Sequence, residues 1–221
     1  NEDRQGGTMP LEDWRREITF LLKDYGESDA VKELVDEFLH HASQEVGLLT
    51  ERSPGQIGFF HLTLQEYLAA VEMARQDTDF RLQKIEKYWA NPRWQEVLLL
   101  TAGEIKEKYT PAVLDAYLHA ILDKEYSDPT QTGRSTFIAG RALADLGKGG
   151  PTRQIHKDIS KALELIAKDI DPDTNQPSVK EGVPILLRAA SANTADELGY
   201  LPNLYTFIPV SDFSISKYPI T

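Results

Sequence analysis

The apolar residues change period twice within the first seventy positions, and that order admits few folds. From Leu11 the spacing is three and four: Leu11, Trp14, Ile18, Leu21 and Leu22 share one helical face, with Pro10 where a helix start accepts it. Gly26 is expected to end that segment, and Ser28 to cap a second helix with the stripe Val31, Leu34, Val35, Phe38 and Leu39. After Gly47 the period drops to two. Leu48 to Arg52, a Ser53-Pro-Gly-Gln turn and Ile57 to Phe60 read as a short β-hairpin. Thr63 and Glu66 then have the spacing of a capping box ahead of Leu64, Tyr67, Leu68, Val71 and Met73, so a helix resumes. Helix, helix, hairpin, helix is the order of a winged-helix domain, expected over residues 1–76.

Beyond it the pattern is helical almost to residue 200. Asn91-Pro92 breaks one helix and starts another carrying Trp94, Val97, Leu98 and Leu100; Thr110-Pro111 opens the next, with Val113, Leu114, Tyr117, Leu118, Ile121 and Leu122 inward. Asp128 to Thr132 reads as a loop, and a long helix follows Pro151. Two segments look alike: Ile138 to Gly147 and Ala190 to Gly199 both run small residues into an acidic residue, leucine and glycine. Small residues let helices approach closely, the glycine suits a left-handed end, and a period near fifty residues is that of HEAT-like helical pairs. The expected architecture is mainly α: the winged helix, a helical domain over 77–127, HEAT-like repeats or a helical bundle over 128–200, and an extended segment over 201–221. In that last stretch Leu204 to Val210 and Phe213 to Ser216 read as strands with no partners left in the chain.

Composition narrows the chemistry. An apolar share of 41% is that of a globular chain, and the absence of cysteine excludes disulfides and thiolate catalysis. No apolar run approaches a membrane span; Val97 to Leu100 is four residues long. The formal net charge is −11, and residues 1–75 hold 15 Asp or Glu against 7 Lys or Arg. Such a surface repels phosphate backbones and anionic lipids, so no nucleic-acid partner and no membrane partner is expected. The start, Asn-Glu-Asp-Arg, has neither the basic nor the apolar part of a signal peptide, which with the lack of cysteine points to a cytoplasmic setting. With no initiator methionine, the chain is expected to begin inside a longer protein.

The run Gly58-Phe-Phe-His-Leu-Thr-Leu-Gln-Glu-Tyr-Leu-Ala-Ala70 resembles the motif that closes the winged helix of NACHT proteins, members of the STAND class of signalling ATPases. Trp94-Gln-Glu-Val-Leu-Leu-Leu100 is similar to the next helical block of that family, so the resemblance covers roughly residues 10–125; the family often has Phe where Leu64 stands. It implies an upstream nucleotide-binding module as partner, ADP or ATP as that module's ligand, and a homo-oligomer on activation. It also implies a role for His61: an imidazole hydrogen bond to the β-phosphate of ADP, holding a closed state. Such a bond to a charged oxygen is short and orienting. The blander reading of His61, an edge-of-core histidine between hairpin and helix, stands beside it. The C-terminal Phe213-Ser-Ile-Ser-Lys-Tyr-Pro-Ile-Thr221 resembles the opening strand of formylglycine-generating-enzyme domains with a C-type-lectin-like fold, which implies a C-terminal sensor domain.

Other constellations read as structure. No Gly-x-x-x-x-Gly-Lys-Ser/Thr is present, and Gly147 to Thr152 has the wrong spacing and no strand before it, so no cofactor is expected on this segment. His40 and His41 after Glu37 are half of a di-iron pattern and read as a solvated helix face. Asp171 to Asn175 begins like a calcium loop, but Gln176 replaces the turn glycine and Gly182 the final Glu. No catalytic residue and no metal site is therefore expected. The reading is a non-catalytic regulatory arm that relays ligand binding. Its rivals are a helical scaffold presenting a lectin-like domain, a DNA-binding winged helix (disfavoured by the acidic front) and, last, an enzyme.

Overall fold

Proline sets where the first helix starts. In the computed structural model, which describes residues 7–23, 28–124, 133–147, 149–168, 183–199, 207–210 and 213–216, Pro10 is extended (φ −53°, ψ 142°) and the helix begins one residue later. The chain separates into two compact units, residues 1–66 and 67–221.

The first unit is a winged helix. β1 (Thr8–Pro10) leads into α1 (Leu11–Leu22) and α2 (Ser28–His40), which widens into a π-helical turn at His41–Glu45. β2 (Leu49–Ser53) and β3 (Gln56–Phe59) form the expected hairpin, and α3 (Leu62–Arg75) follows. Pro54 followed by Gly55 at φ +70° makes the hairpin turn, because only glycine takes that angle without strain. The Glu51 carboxylate fixes it, accepting from the Gly55 N–H at 2.6 Å.

The sheet has the order β1-β3-β2, all antiparallel, with Thr8 opposite Gly58 and Leu49 opposite Phe59. β1 was not expected: three residues ending in proline carry no period-two signal, and the strand exists only through its pairing with β3. Val31, Val35, Leu39, Ala42 and Leu49 are buried, with Leu11, Trp14, Ile18, Leu22, Ile57 and Phe59 packed around them. Trp14 fastens helix to sheet, donating from Nε1 to the Ile57 carbonyl at 3.1 Å and meeting Phe59 edge-on at 5.8 Å. The helical stripes are narrower than read: Leu21, Leu34 and Phe38 are exposed. Gly26 and the Ser28 side chain lie outside what is described.

The second unit continues α3 into α4 (Thr78–Tyr88), a 3₁₀ turn at Pro92–Trp94, α5 (Gln95–Lys108), α6 (Pro111–Leu122), α7 (Arg134–Leu146), α8 (Arg153–Lys168) and α9 (Ile185–Glu197). α5 packs on α7 and α7 on α9, while α4 packs on α6 and α6 on α8; successive helices join the two layers. That neighbour order is the two-layer stacking of an α-solenoid. Its core holds Ile85, Leu98, Ile105, Leu118, Ile138 and Ile159, each fully buried. The two look-alike segments close α7 and α9, and Gly147 and Gly199 both take positive φ there. The α7 copy also needs a glycine inside: a Cβ on Gly140 would lie 2.7 Å from a Leu163 methyl of α8.

Two buried polar groups are satisfied locally. Tyr117 donates to the Leu98 carbonyl at 2.9 Å, and burial pushes its phenol above the ordinary range. Arg81 donates to the carbonyls of Ala74 (3.0 Å) and Gln76, closing the end of α3.

β4 (Phe207–Val210) and β5 (Phe213–Ser216) correct one expectation. They pair with each other, Ile208 opposite Ile215, as consecutive antiparallel strands can, so neither lacks a partner. The loops Asp128 to Thr132 and Asp171 to Asn175, and the run Lys217 to Thr221, lie outside the described residues.

Candidate functional site

His61 stands where the hairpin hands over to α3. The ladder's last hydrogen bond beyond β3 runs from the Phe60 N–H to the Leu48 carbonyl at 2.9 Å. The next carbonyl, that of His61, accepts from the N–H groups of Leu64 (3.2 Å) and Gln65 (3.4 Å), which makes His61 the N-cap residue of α3. The capping box read at Thr63 and Glu66 is therefore wrong by one turn of logic: Thr63 is already inside the helix. The helix starts no earlier than this because the two carbonyls before it are engaged, and that of His61 is the first one open to the helix.

Arg52 takes them. Its guanidinium donates to the Phe59 carbonyl at 2.9 Å and the Phe60 carbonyl at 2.7 Å. The register of β2 against β3 shifts between Glu51 and Ser53, leaving Arg52 as the extra residue of a bulge. A bulge re-aims its side chain, here across the hairpin onto the segment that precedes His61. Sequence reading did not single out Arg52, since its role depends on that shift; an arginine beside the Ser-Pro-Gly turn was the available sign.

The histidine side chain is exposed, with its ring edge-on to Phe60 at 4.5 Å and 85°. The first turn of α3 carries no acidic residue, so the positive end of that helix is not neutralised from within the turn. An exposed imidazole beside such a helix end can donate to an anionic oxygen. The ring is thus open to solvent on one side and against Phe60 on the other. The motif's Tyr67 and Leu68 are also more open than read, at 44% and 42% exposed; Ala70, Met73 and Ala74 do the packing of α3.

These are the features of a hairpin-to-helix junction built around a motif. Residues 2–73 match the winged helix-turn-helix domain C-terminal to NACHT. The match spans about one third of the chain and includes Arg52, His61 and most of α3. No curated protein and no solved structure matches the chain.

The remaining constellations fall elsewhere. The His41 ring nitrogen Nδ1 lies 3.0 Å from the Glu45 carboxylate, one turn along, and is engaged there. Among the described residues, no three histidine, aspartate or glutamate side chains converge in a group that could hold a metal ion. The Thr152 N–H, just ahead of α8, donates to the Asp115 carboxylate at 2.9 Å, so an acid stands where a phosphate oxygen would have to sit. No helix of the described residues is long and apolar enough to cross a membrane.

Proposed function

We propose that this chain is part of the regulatory arm of a NACHT-type STAND ATPase, in which the winged helix restrains an upstream nucleotide-binding module and the helical array relays the state of a C-terminal sensor. The observation that carries this reading is the agreement of two things at residues 2–73: the match to a domain described as C-terminal to NACHT, and an exposed histidine N-cap on a helix end with no acid in its first turn. In this reading His61 donates from its imidazole to the β-phosphate of ADP and Arg52 is a positioning residue, tying down the two carbonyls ahead of it. ADP and ATP are ligands of the upstream module. The catalytic groups belong to that module too, since no phosphate-cradling Gly-x-x-x-x-Gly-Lys sequence occurs in this chain. The setting is cytoplasmic, and release of the restraint leads to homo-oligomerisation. The exposed apolar side chains of the winged helix, Phe20, Leu34, Phe38 and Phe60 among them, suit a domain that packs on a neighbouring module.

The test uses the protein with its NACHT module present. A hydrogen bond to a charged group is worth about 1.5–3 kcal/mol, so His61→Ala should shift the closed–open equilibrium roughly 10- to 150-fold. The variant should lose co-purified ADP and oligomerise more readily, while its nucleotide-free melting temperature barely moves because the side chain is exposed. Equal ADP retention in wild type and His61→Ala would end the claim.

A further inference from the structure

Gly103 sits in the middle of α5, where glycine is a poorer helix former than any residue but proline. At Gly140 the reason for a glycine is visible in the crowding by Leu163. At Gly103 a Cβ would meet nothing within 4 Å. The space before it belongs to an open groove of about 290 Å³ between α5 and α7, floored by Leu99, Leu100, Ala142 and Leu146, with Tyr67 of α3 also lining it. Its rim is acidic. Glu104 is paired with Lys108 and Asp145 with Arg141, whereas Glu96 and Glu107 are exposed and make no hydrogen bond or ion pair among the described residues. The one lining cation, Lys106, is engaged by the Leu146 carbonyl at 2.8 Å.

Glu96, Leu100, Gly103 and Glu107 are spaced four, three and four apart, so they form one stripe along α5, about 16 Å from end to end. The cavity is at the small end of the range for bound small molecules, and its carboxylates repel phosphate, which argues against a nucleotide. What complements it is an aliphatic side chain seated over Gly103, with cations reaching Glu96 at one end and Glu107 at the other. A helix that repeats apolar side chains at three and four, flanked by arginine or lysine, presents that combination. We propose that the α5–α7 groove docks a basic amphipathic helix of a partner protein. This holds independently of the nucleotide reading of His61.

Anisotropy with a fluorescein-labelled synthetic helix, leucines at three-and-four spacing flanked by arginines, tests it on the full chain. The control peptide has glutamate for every arginine. The basic peptide should bind with Kd of order 10–100 μM, as befits a short groove contact, and the acidic control should not bind. Glu96→Gln with Glu107→Gln should weaken binding about 5- to 10-fold and flatten its salt dependence. Gly103→Leu should abolish it, while Gly103→Ala raises the melting temperature and shows that the helix accepts a side chain there. Equal binding of both peptides, unchanged binding by Gly103→Leu, or no binding by the basic peptide at millimolar concentration would each overturn the proposal. So would a dimer in sedimentation velocity that Gly103→Leu dissolves, since the occupant would then be a second copy of this chain.

Discussion

The two units reach a folded state by different means. Among the described residues, the large side chains with less than 2% exposure all lie in the helical unit, from Ile85 to Leu163. Among its described residues the winged helix has one core cluster of five buried side chains, two of them leucines, and leaves Phe20, Leu21, Leu34, Phe38 and Val46 open. What it has instead are directed contacts: Trp14 to the Ile57 carbonyl, Arg52 to two carbonyls, Glu51 to the turn. Apolar burial is divided over many side chains, so no single one of them sets the position of another. A directed hydrogen bond does.

That contrast can be broken most directly by cutting each core once. Leu118→Ala in the helical unit and Leu39→Ala in the winged helix should each cost about 2–5 kcal/mol. In urea, Trp14 reports on the first unit, and Trp89 with Trp94 on the second. Each substitution should move only its own transition, and Leu68→Ala, at an exposed site, should move neither by much. One shared transition displaced alike by both would mean that the units are not separate. A finer test is steric: Gly140→Ala forces Leu163 aside and should destabilise the helical unit by about 1–3 kcal/mol. A stable Gly140→Ala would show slack between α7 and α8.

The most gradual effect is alkaline. The folded-state pKa of Tyr117 is raised by burial, so its contribution is fully present below the unfolded value near 10 and is lost as pH rises above it. The helical unit should weaken by about 1.4 kcal/mol per pH unit beyond that point, the winged helix should not share the loss, and Tyr117→Phe should flatten it.

The hairpin and its flanking helices were legible because the spacing of Leu11 to Leu39, Leu48 to Phe60 and Leu64 to Met73 changes with the structure. The width of each helical face was not: Leu34 and Val35 are alike in sequence, and only the position of the sheet makes one exposed and the other buried. β1 depends on a contact fifty residues away, and the start of α3 on carbonyls claimed by Arg52. The pairing of β4 with β5 was not expected, although two residues separate the strands and antiparallel neighbours can pair across so short a link. At the site, the spacing offered His61 only as an edge-of-core histidine; the role proposed for it toward nucleotide rests on the resemblance, and the place of Arg52 emerged only with the bulge.

The central position of β3 has a bearing on how the chain is made. Thr8 leaves the ribosome about fifty residues before its partner Gly58, which at 5–20 residues per second is roughly 2–10 s of waiting. During that interval α1 and α2 can form, but the strand ahead of them has nothing to join. The helical array has no such delay, because each helix finds its neighbour within the next one or two elements. The front of the winged helix is synthesised first and completed late, and it is in that window that its edge is most open to the wrong partner.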